Sequence, residues 1–241
     1  MATSTLSDFL QKHFVTKENR LTKPITHTRI GDKSSNISGG SYHIPDDDME
    51  TFMNVYYKNV FENGHDEYLT EKQLDIGAIV VDVDFRYPLT VNKRQHTRSH
   101  ITDLIAVYLE KLKTMFVMDE NTKIPVYVFE KPNVNCVPAK DLTKDGIHII
   151  FGLKTDRISQ ILLRKAMLTE LPKMWDDLPI SNTWSEILDD GISIGCVNWQ
   201  LFGSKKPQNE RFKFLIFCFS LSLSKIKIFY IHYLLIFKNF K

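Results

Sequence analysis

Asp82 and Asp84 stand two residues apart near the end of the apolar run IGAIVVDVDFR, residues 76–86. Side chains alternate along a strand, so both carboxylates face one side while Val81 and Val83 face the other. Two acids on one strand face repel each other and are costly to desolvate. A divalent cation removes that cost, and hard oxygen donors suit magnesium or manganese. A solvated strand end would accommodate the same pair without a metal.

Two further clusters could complete a site. In Lys144-Asp145-Gly146-Ile147-His148-Ile149-Ile150-Phe151, His148 is the polar break in an apolar strand, and Lys144 and Gly146 precede it in a turn that suits a bound phosphate. A single strand histidine is also a common structural feature. In Ile187-Leu188-Asp189-Asp190, the apolar residues before Asp189 make it the candidate third carboxylate, with Asp190 its close rival. Lys205 and Lys206 follow a strand and Gly203, a place to grip a triphosphate or a template; an exposed turn is the simpler account of the pair alone. GSKKP lacks the GxxxxGK spacing of a P-loop. Lys93, Arg94, His96, Arg98 and His100 cluster just after the first acids; phosphate neutralisation by Lys93, Arg94 and Arg98 would serve a single-stranded DNA template, and a solvated loop would look the same. Trp175, Trp184 and Trp199 read as packing residues, and Cys136 lies in a turn-rich loop without visible metal partners.

The elements that must position these residues alternate. A helix is predicted from Thr5 to about Phe14, and strand-like pieces over 25–30 and 42–44. Pro45 with Asp46, Asp47 and Asp48 opens a helix carrying Met49, Phe52, Met53, Tyr56, Val60 and Phe61. The run 76–86 is the strongest strand, and its continuous apolar character predicts a central position buried on both faces. A long amphipathic helix over 97–116 follows, then strands over 124–129 and 147–151, a helix over 156–171 and a last strand over 198–202. This order predicts an α+β fold around one sheet.

At 241 residues the chain has the apolar share, 43%, of a globular protein. Cys136, Cys196 and Cys218 are far apart, which argues against a disulfide framework or zinc cluster and for a reducing compartment. MATSTLSDFLQKHF lacks the apolar core of a secretory signal. From Phe212 onward composition shifts: seven of the sixteen phenylalanines and five lysines stand there, with no acid, so the net charge of +2 leaves the preceding 211 residues at −3. Nucleic-acid contact must therefore come from a local patch. Lys225 and Lys227 divide the apolar tail into runs shorter than the about 20 residues of a membrane span. Composition thus predicts a fold over 1–212 and a Phe/Ile/Lys-rich tail over 213–241 outside it, and no membrane partner is expected.

DVDFR at 82–86, DGIHIIFG at 145–152 and WQLFGSKKP at 199–207, in that order, resemble the archaeo-eukaryotic primase superfamily. The likeness is greatest to the primase-polymerase domain of helicase–primases in nucleocytoplasmic large DNA viruses of poxvirus and mimivirus type. YLTEK at 68–72 and THTRI…GSYHIP over 26–45 extend it, so that it covers roughly 5–213. The resemblance implies a catalytic core of two modules: an N-terminal α/β module and a palm sheet related to the RRM fold. It further implies a two-metal site of Mg²⁺ or Mn²⁺ on Asp82, Asp84 and Asp189, and triphosphate contacts from His148, Lys144, Lys205 and Lys206. Arg86 belongs to the viral form of the first motif and joins the nucleotide-binding set. The implied activity is DNA primase or primase-polymerase: template-directed nucleotidyl transfer from NTPs or dNTPs. The implied setting is intracellular viral DNA replication, in host cytoplasm or nucleus, alongside a separate helicase. Relatives of that branch continue into a helicase with its own ATP site, whereas this chain has no Walker-type motif and changes character about five residues after GSKKP. It therefore reads as an isolated or truncated module. Two other readings stand beside it: a nuclease or other nucleotidyltransferase using the same acids, and an inactive remnant that only binds DNA.

Overall fold

A computed structural model describes residues 5–118, 122–220 and 226–229. The elements in chain order are α1 (Leu6–Lys12), β1 (His27–Arg29), β2 (Gly40–Tyr42), α2 (Asp46–Tyr57), β3 (Leu69–Glu71), β4 (Ile76–Pro88), α3 (Arg98–Met115), β5 (Pro125–Glu130), β6 (Asn135–Val137), β7 (Leu142–Asp156), α4 (Arg157–Leu168), α5 (Leu171–Met174), α6 (Trp184–Ile187), α7 (Asp190–Ile194), β8 (Trp199–Gln200), β9 (Lys213–Ser220) and β10 (Ile226–Phe229). Helices and antiparallel sheets make the fold α+β. Two compact units divide it, one from Met1–Gln73 with Val197–Phe212, the other from Leu74–Cys196 with Lys213–Lys241.

In the first unit β2-β1-β3-β8 form an antiparallel sheet. Thr5 and Asp8 close a capping box on α1, and three acids after Pro45 open α2 where the helix dipole favours negative charge. Phe52 and Tyr56 of α2 are fully buried. The segment after β8 is tied in by Ser204, whose hydroxyl meets the Tyr56 hydroxyl at 2.9 Å and accepts from the Leu69 N–H at 3.0 Å. Beneath it, Arg29 forks onto the fully buried carboxylate of Glu67 at 2.7 and 2.6 Å.

The second unit carries a sheet of order β10-β9-β5-β7-β4, with β6 pairing β7. Ile79, Val81, Val83, Phe85 and Tyr87 of β4 and Ile147, Ile149 and Phe151 of β7 form one face. That face buries the apolar stripe of α3 (Ile101, Leu104, Ile105, Tyr108, Leu112), with Leu163 and Met167 of α4. Burying each large apolar side chain stabilises by about 1.5–3 kcal/mol, so this layer fixes the sheet.

β4 departs from expectation. It is an edge strand with one ladder partner, not a central one, and it is buried on one face only: Ile76 is 65% exposed and Val80, Asp82, Asp84 and Arg86 are partly exposed. An apolar run suggests burial on both faces, but the open edge is covered by an irregular segment that no strand periodicity announces. Residues 181–189 run antiparallel beside it. The Ser181 N–H reaches the Arg86 carbonyl at 2.8 Å, the Asn182 amide brackets Asp84 O and Arg86 N, and Val83 bridges Leu188. Covering an edge with a loop in this way satisfies backbone groups that a second strand would otherwise pair.

Composition sets the stretch after 212 apart, yet Lys213–Ser220 continues the sheet as β9, pairing β5 from Glu130↔Lys213 to Pro125↔Phe219. The Phe214 ring packs edge-on to Phe129 with centroids 5.5 Å apart, and Leu215 packs on the core. Residues 221–225 and 230–241 lie outside the described residues. Among the described residues no helix is long and apolar enough to cross a membrane.

Candidate metal and nucleotide site

The face of β4 and β7 opposite the helices carries the polar residues. Register sets them in three cross-strand pairs: Asp82 beside His148, Asp84 beside Gly146, and Arg86 beside Lys144. The period of two that buries Val81, Val83, Ile147 and Ile149 delivers these residues to one surface. His148 Nε2 lies 3.5 Å from Asp82 Oδ1.

Asp189 arrives from the edge-covering segment. Its N–H donates to the Asp82 carbonyl at 3.1 Å, and its Oδ1 accepts from the Gly191 N–H at 2.6 Å, capping α7. Arg164 holds the preceding residues by donating to the Leu188 carbonyl at 2.9 and 2.7 Å and to the Ser185 carbonyl at 2.9 Å. The result is one carboxylate oxygen from each of Asp82, Asp84 and Asp189, all within 4.8 Å of one another. Three hard, anionic oxygen donors this close fit a magnesium- or manganese-type ion, and they are the group among the described residues with such geometry. Asp190, the rival third acid, starts α7 and is not in this group.

The other expected residues separate into kinds. Arg86 pairs with Glu186 at 2.8 Å, both half-exposed. Lys144 is held below its ordinary pKa by burial first and then by the charge of Lys140, with Arg86 and Lys131 adding to this against the pull of Asp84. Lys93 and Arg98 are exposed. Arg94 is not a free cation: it forks onto the fully buried Asp145 at 2.9 and 3.0 Å, reaches Glu130 at 2.9 Å and donates to the Lys131 carbonyl. His96 is buried in the same cluster, stacked on Phe85. In the first unit, Lys205 pairs with Asp66 at 2.8 Å and Lys206 is exposed.

Sequence reasoning missed two contributors. Asn182 pins the covering segment to β4, which only the long-range pairing reveals. Lys131, in the turn after β5, lies with its ammonium 3.9 Å from Asp84 Oδ1. A lysine in a KPN turn reads as solvated, and no local signal distinguishes it.

Residues 31–215 match the family model described as the C962R protein N-terminal AEP domain. The chain is similar to "Putative helicase L207/L206" of Acanthamoeba polyphaga mimivirus, at 28% identity over 214 residues, covering 88% of this chain and 21% of that protein. It thus spans a minor part of that relative's length. The matched region holds Asp82, Asp84, His148, Asp189 and the GSKKP lysines together, and the chain belongs to this archaeo-eukaryotic primase-type family.

Proposed function

We propose that the protein is a primase-polymerase, transferring nucleotides from NTPs or dNTPs onto a growing strand templated by single-stranded DNA. The observation that carries this reading is the convergence of three carboxylates within 4.8 Å, flanked by His148 at 3.5 Å from Asp82. Phosphoryl transfer depends mainly on positioning and charge neutralisation, which such a constellation supplies. In the reaction the 3′-oxygen bonds to the α-phosphorus as its proton passes to solvent; the α–β bridging bond breaks and pyrophosphate leaves with the electron pair. Divalent cations held by Asp82, Asp84 and Asp189 would supply Lewis-acid activation and charge neutralisation. His148 and Lys144, on the same sheet face, are assigned to the triphosphate, as are Lys205 and Lys206 by their place in the family motif. Arg86 is assigned to nucleotide binding by its place in the family motif; its guanidinium pairs with Glu186 at 2.8 Å.

Lys93 and Arg98 are assigned to the template backbone. Arg98 is the first residue of α3 and is exposed, as is Lys93. Arg94 is assigned a structural part. The mimivirus relative is described as a helicase, and a helicase working beside this module is the proposed protein partner.

The test is incorporation on single-stranded and primed DNA by the full chain with Mg²⁺ or Mn²⁺, beside Asp82→Asn/Asp84→Asn. Incorporation that is lost in the double variant supports the reading. Folded protein that binds DNA and extends nothing with either metal would leave a DNA-binding module, and nucleotide release from DNA without added triphosphates would indicate a nuclease.

A further inference from the structure

The segments THTRI and GSYHIP pair in the first unit's sheet, and none of their residues belongs to the triad. Register sets Arg29 of β1 opposite Gly40 of β2. A Cβ at Gly40 would come within 2.7 Å of the Tyr42 hydroxyl and 2.8 Å of the Phe14 ring. The glycine thus lets Tyr42 lean back along β2 to hydrogen-bond the Arg29 guanidinium. Arg29 is in turn anchored by its fork onto the fully buried Glu67. A buried ion pair is often no more stabilising than apolar residues of similar volume, so stability alone does not call for one here.

Arg29 and Tyr42, with the buried Leu10 of α1, line a cavity of about 430 Å³ within the first unit. That is many times the space of one water molecule and falls in the range of small-molecule sites. Part of its wall is the loop 31–39, which is held in shape. Asp32 and Ile37 exchange backbone bonds at 2.8 and 2.9 Å, and the Asp32 carboxylate accepts from Ser34, Ser35 and Tyr68. Asn36 turns the loop in the left-handed conformation, at φ 52°, and lines the cavity together with Gln11 of α1 and Asn59.

The lining offers no uncompensated charge to a ligand. No lysine lines it, Arg29 is engaged by Glu67, and Asp66 is answered by Lys205 at 2.8 Å and Arg211 at 3.1 Å. What remains is hydroxyls and three carboxamides beside a tyrosine and a leucine. A carboxamide sets one donor and one acceptor side by side, the pattern that matches the N6–N7 edge of adenine. We propose that this cavity binds an unpaired adenine base, recognised by the carboxamides of Gln11, Asn36 and Asn59, with Leu10 and Tyr42 as its apolar lining. The base comes from a free nucleoside or from a single strand, since the recognised edge is the same. The proposal rests on the first unit alone and does not depend on the nucleotidyl-transfer reading.

Calorimetric titration of the full chain tests it, with adenosine, cytidine, oligodeoxyadenylate and oligodeoxycytidylate, for wild type, Gln11→Ala and Asn36→Gly. Both residues are exposed and glycine accepts the left-handed turn at 36, so both variants are expected to fold. Adenosine is expected to bind wild type at least about tenfold more tightly than cytidine. Each variant is expected to weaken adenosine by about threefold to tenfold, the loss of one or two hydrogen bonds. If adenosine does not bind, but both variants weaken oligodeoxyadenylate and neither weakens oligodeoxycytidylate, the site stands and takes its base from a strand. Adenosine and oligodeoxyadenylate bound equally by all three proteins overturn the site. So does cytidine bound as tightly as adenosine, or a wild type that binds neither adenosine nor oligodeoxyadenylate. Should Asn36→Gly fail to fold, Asn36→Asp keeps the turn and removes the amide donor.

Discussion

The N–H of Asp189 donates to the carbonyl oxygen of Asp82 at 3.1 Å. This bond joins a covering loop to an edge strand, and it makes the third carboxylate a consequence of how β4 is capped. The same residue caps α7, accepting from the Gly191 N–H at 2.6 Å with one carboxylate oxygen. Asp189 is thereby fixed through both its backbone and its side chain.

Asparagine at 189 can keep the capping bond while removing the charge. Asp189→Asn is expected to fold normally, weaken Mn²⁺ by at least about tenfold and lower incorporation by on the order of 10²–10³-fold, the loss of several kcal/mol of charge stabilisation. Asp190→Asn is expected to leave both within about twofold, because Asp190 is outside the triad. Equal effects of the two substitutions, by calorimetry and primer extension, would sink the assignment of Asp189.

Arg94 holds the buried Asp145, so Arg94→Ala leaves a carboxylate in the core without its partner. Breaking such a buried pair costs about 3–5 kcal/mol. Arg94→Lys should recover only part of this, since an ammonium cannot make the fork to both Asp145 oxygens. Urea unfolding of the three proteins checks it; an Arg94→Ala midpoint equal to wild type would return Arg94 to the candidates for template contact.

What could be read from the chain divides along local and non-local lines. The parity of Asp82 and Asp84 follows from a period of two, and His148 interrupts an apolar run; both survive in the three-dimensional arrangement because β4 and β7 stay in unbroken register from Ile79↔Phe151 to Pro88↔Leu142. Apolar content could not show that β4 lies at an edge, since edge position depends on what a loop one hundred residues away does: Asn182 and Leu188 decide it. Asp189 and Asp190 are likewise indistinguishable in sequence; the fold brings the Asp189 carboxylate to within 4.8 Å of those of Asp82 and Asp84. Arg94, expected at the template, is held instead by the buried Asp145 for a similar reason. A cation in a loop reads as solvated or phosphate-seeking, and only the buried Asp145 tells that this one is tied down. In the Phe-rich stretch, composition masked a strand because the free edge of β5 that receives it is invisible from sequence.

Template contact by Lys93 and Arg98 makes a claim about salt. Each phosphate neutralised on a single strand contributes about 0.7 to the slope of log affinity against log salt. Lys93→Ala and Arg98→Ala are each expected to flatten that slope by about 0.7 in fluorescence-anisotropy titrations with single-stranded DNA, uniformly across sequences. Slopes that match wild type in both variants would place the template elsewhere.

His27 of β1 and Glu71 of β3 face each other in the first unit's sheet, and burial shifts them in opposite directions. Desolvation lowers the His27 imidazole from 6.5 to about 4 and raises the Glu71 carboxyl from 4.5 to about 7. Between pH 4 and 6.5 the unfolded chain carries a proton on His27 that the folded chain does not, so this residue makes stability rise with pH. Between pH 4.5 and 7 the folded chain keeps a proton on Glu71 that the unfolded chain has lost, so this one makes stability fall with pH. Over the shared window the two slopes oppose each other and the wild-type curve is flattened. Glu71→Gln removes the falling contribution and is expected to gain on the order of 2–3 kcal/mol from the bottom to the top of that window, relative to the wild-type change. His27→Gln is expected to show the reverse slope. Urea unfolding free energies at half-unit pH steps measure both, and a Glu71→Gln curve parallel to wild type would show that Glu71 ionises in the folded protein as it does in the unfolded chain.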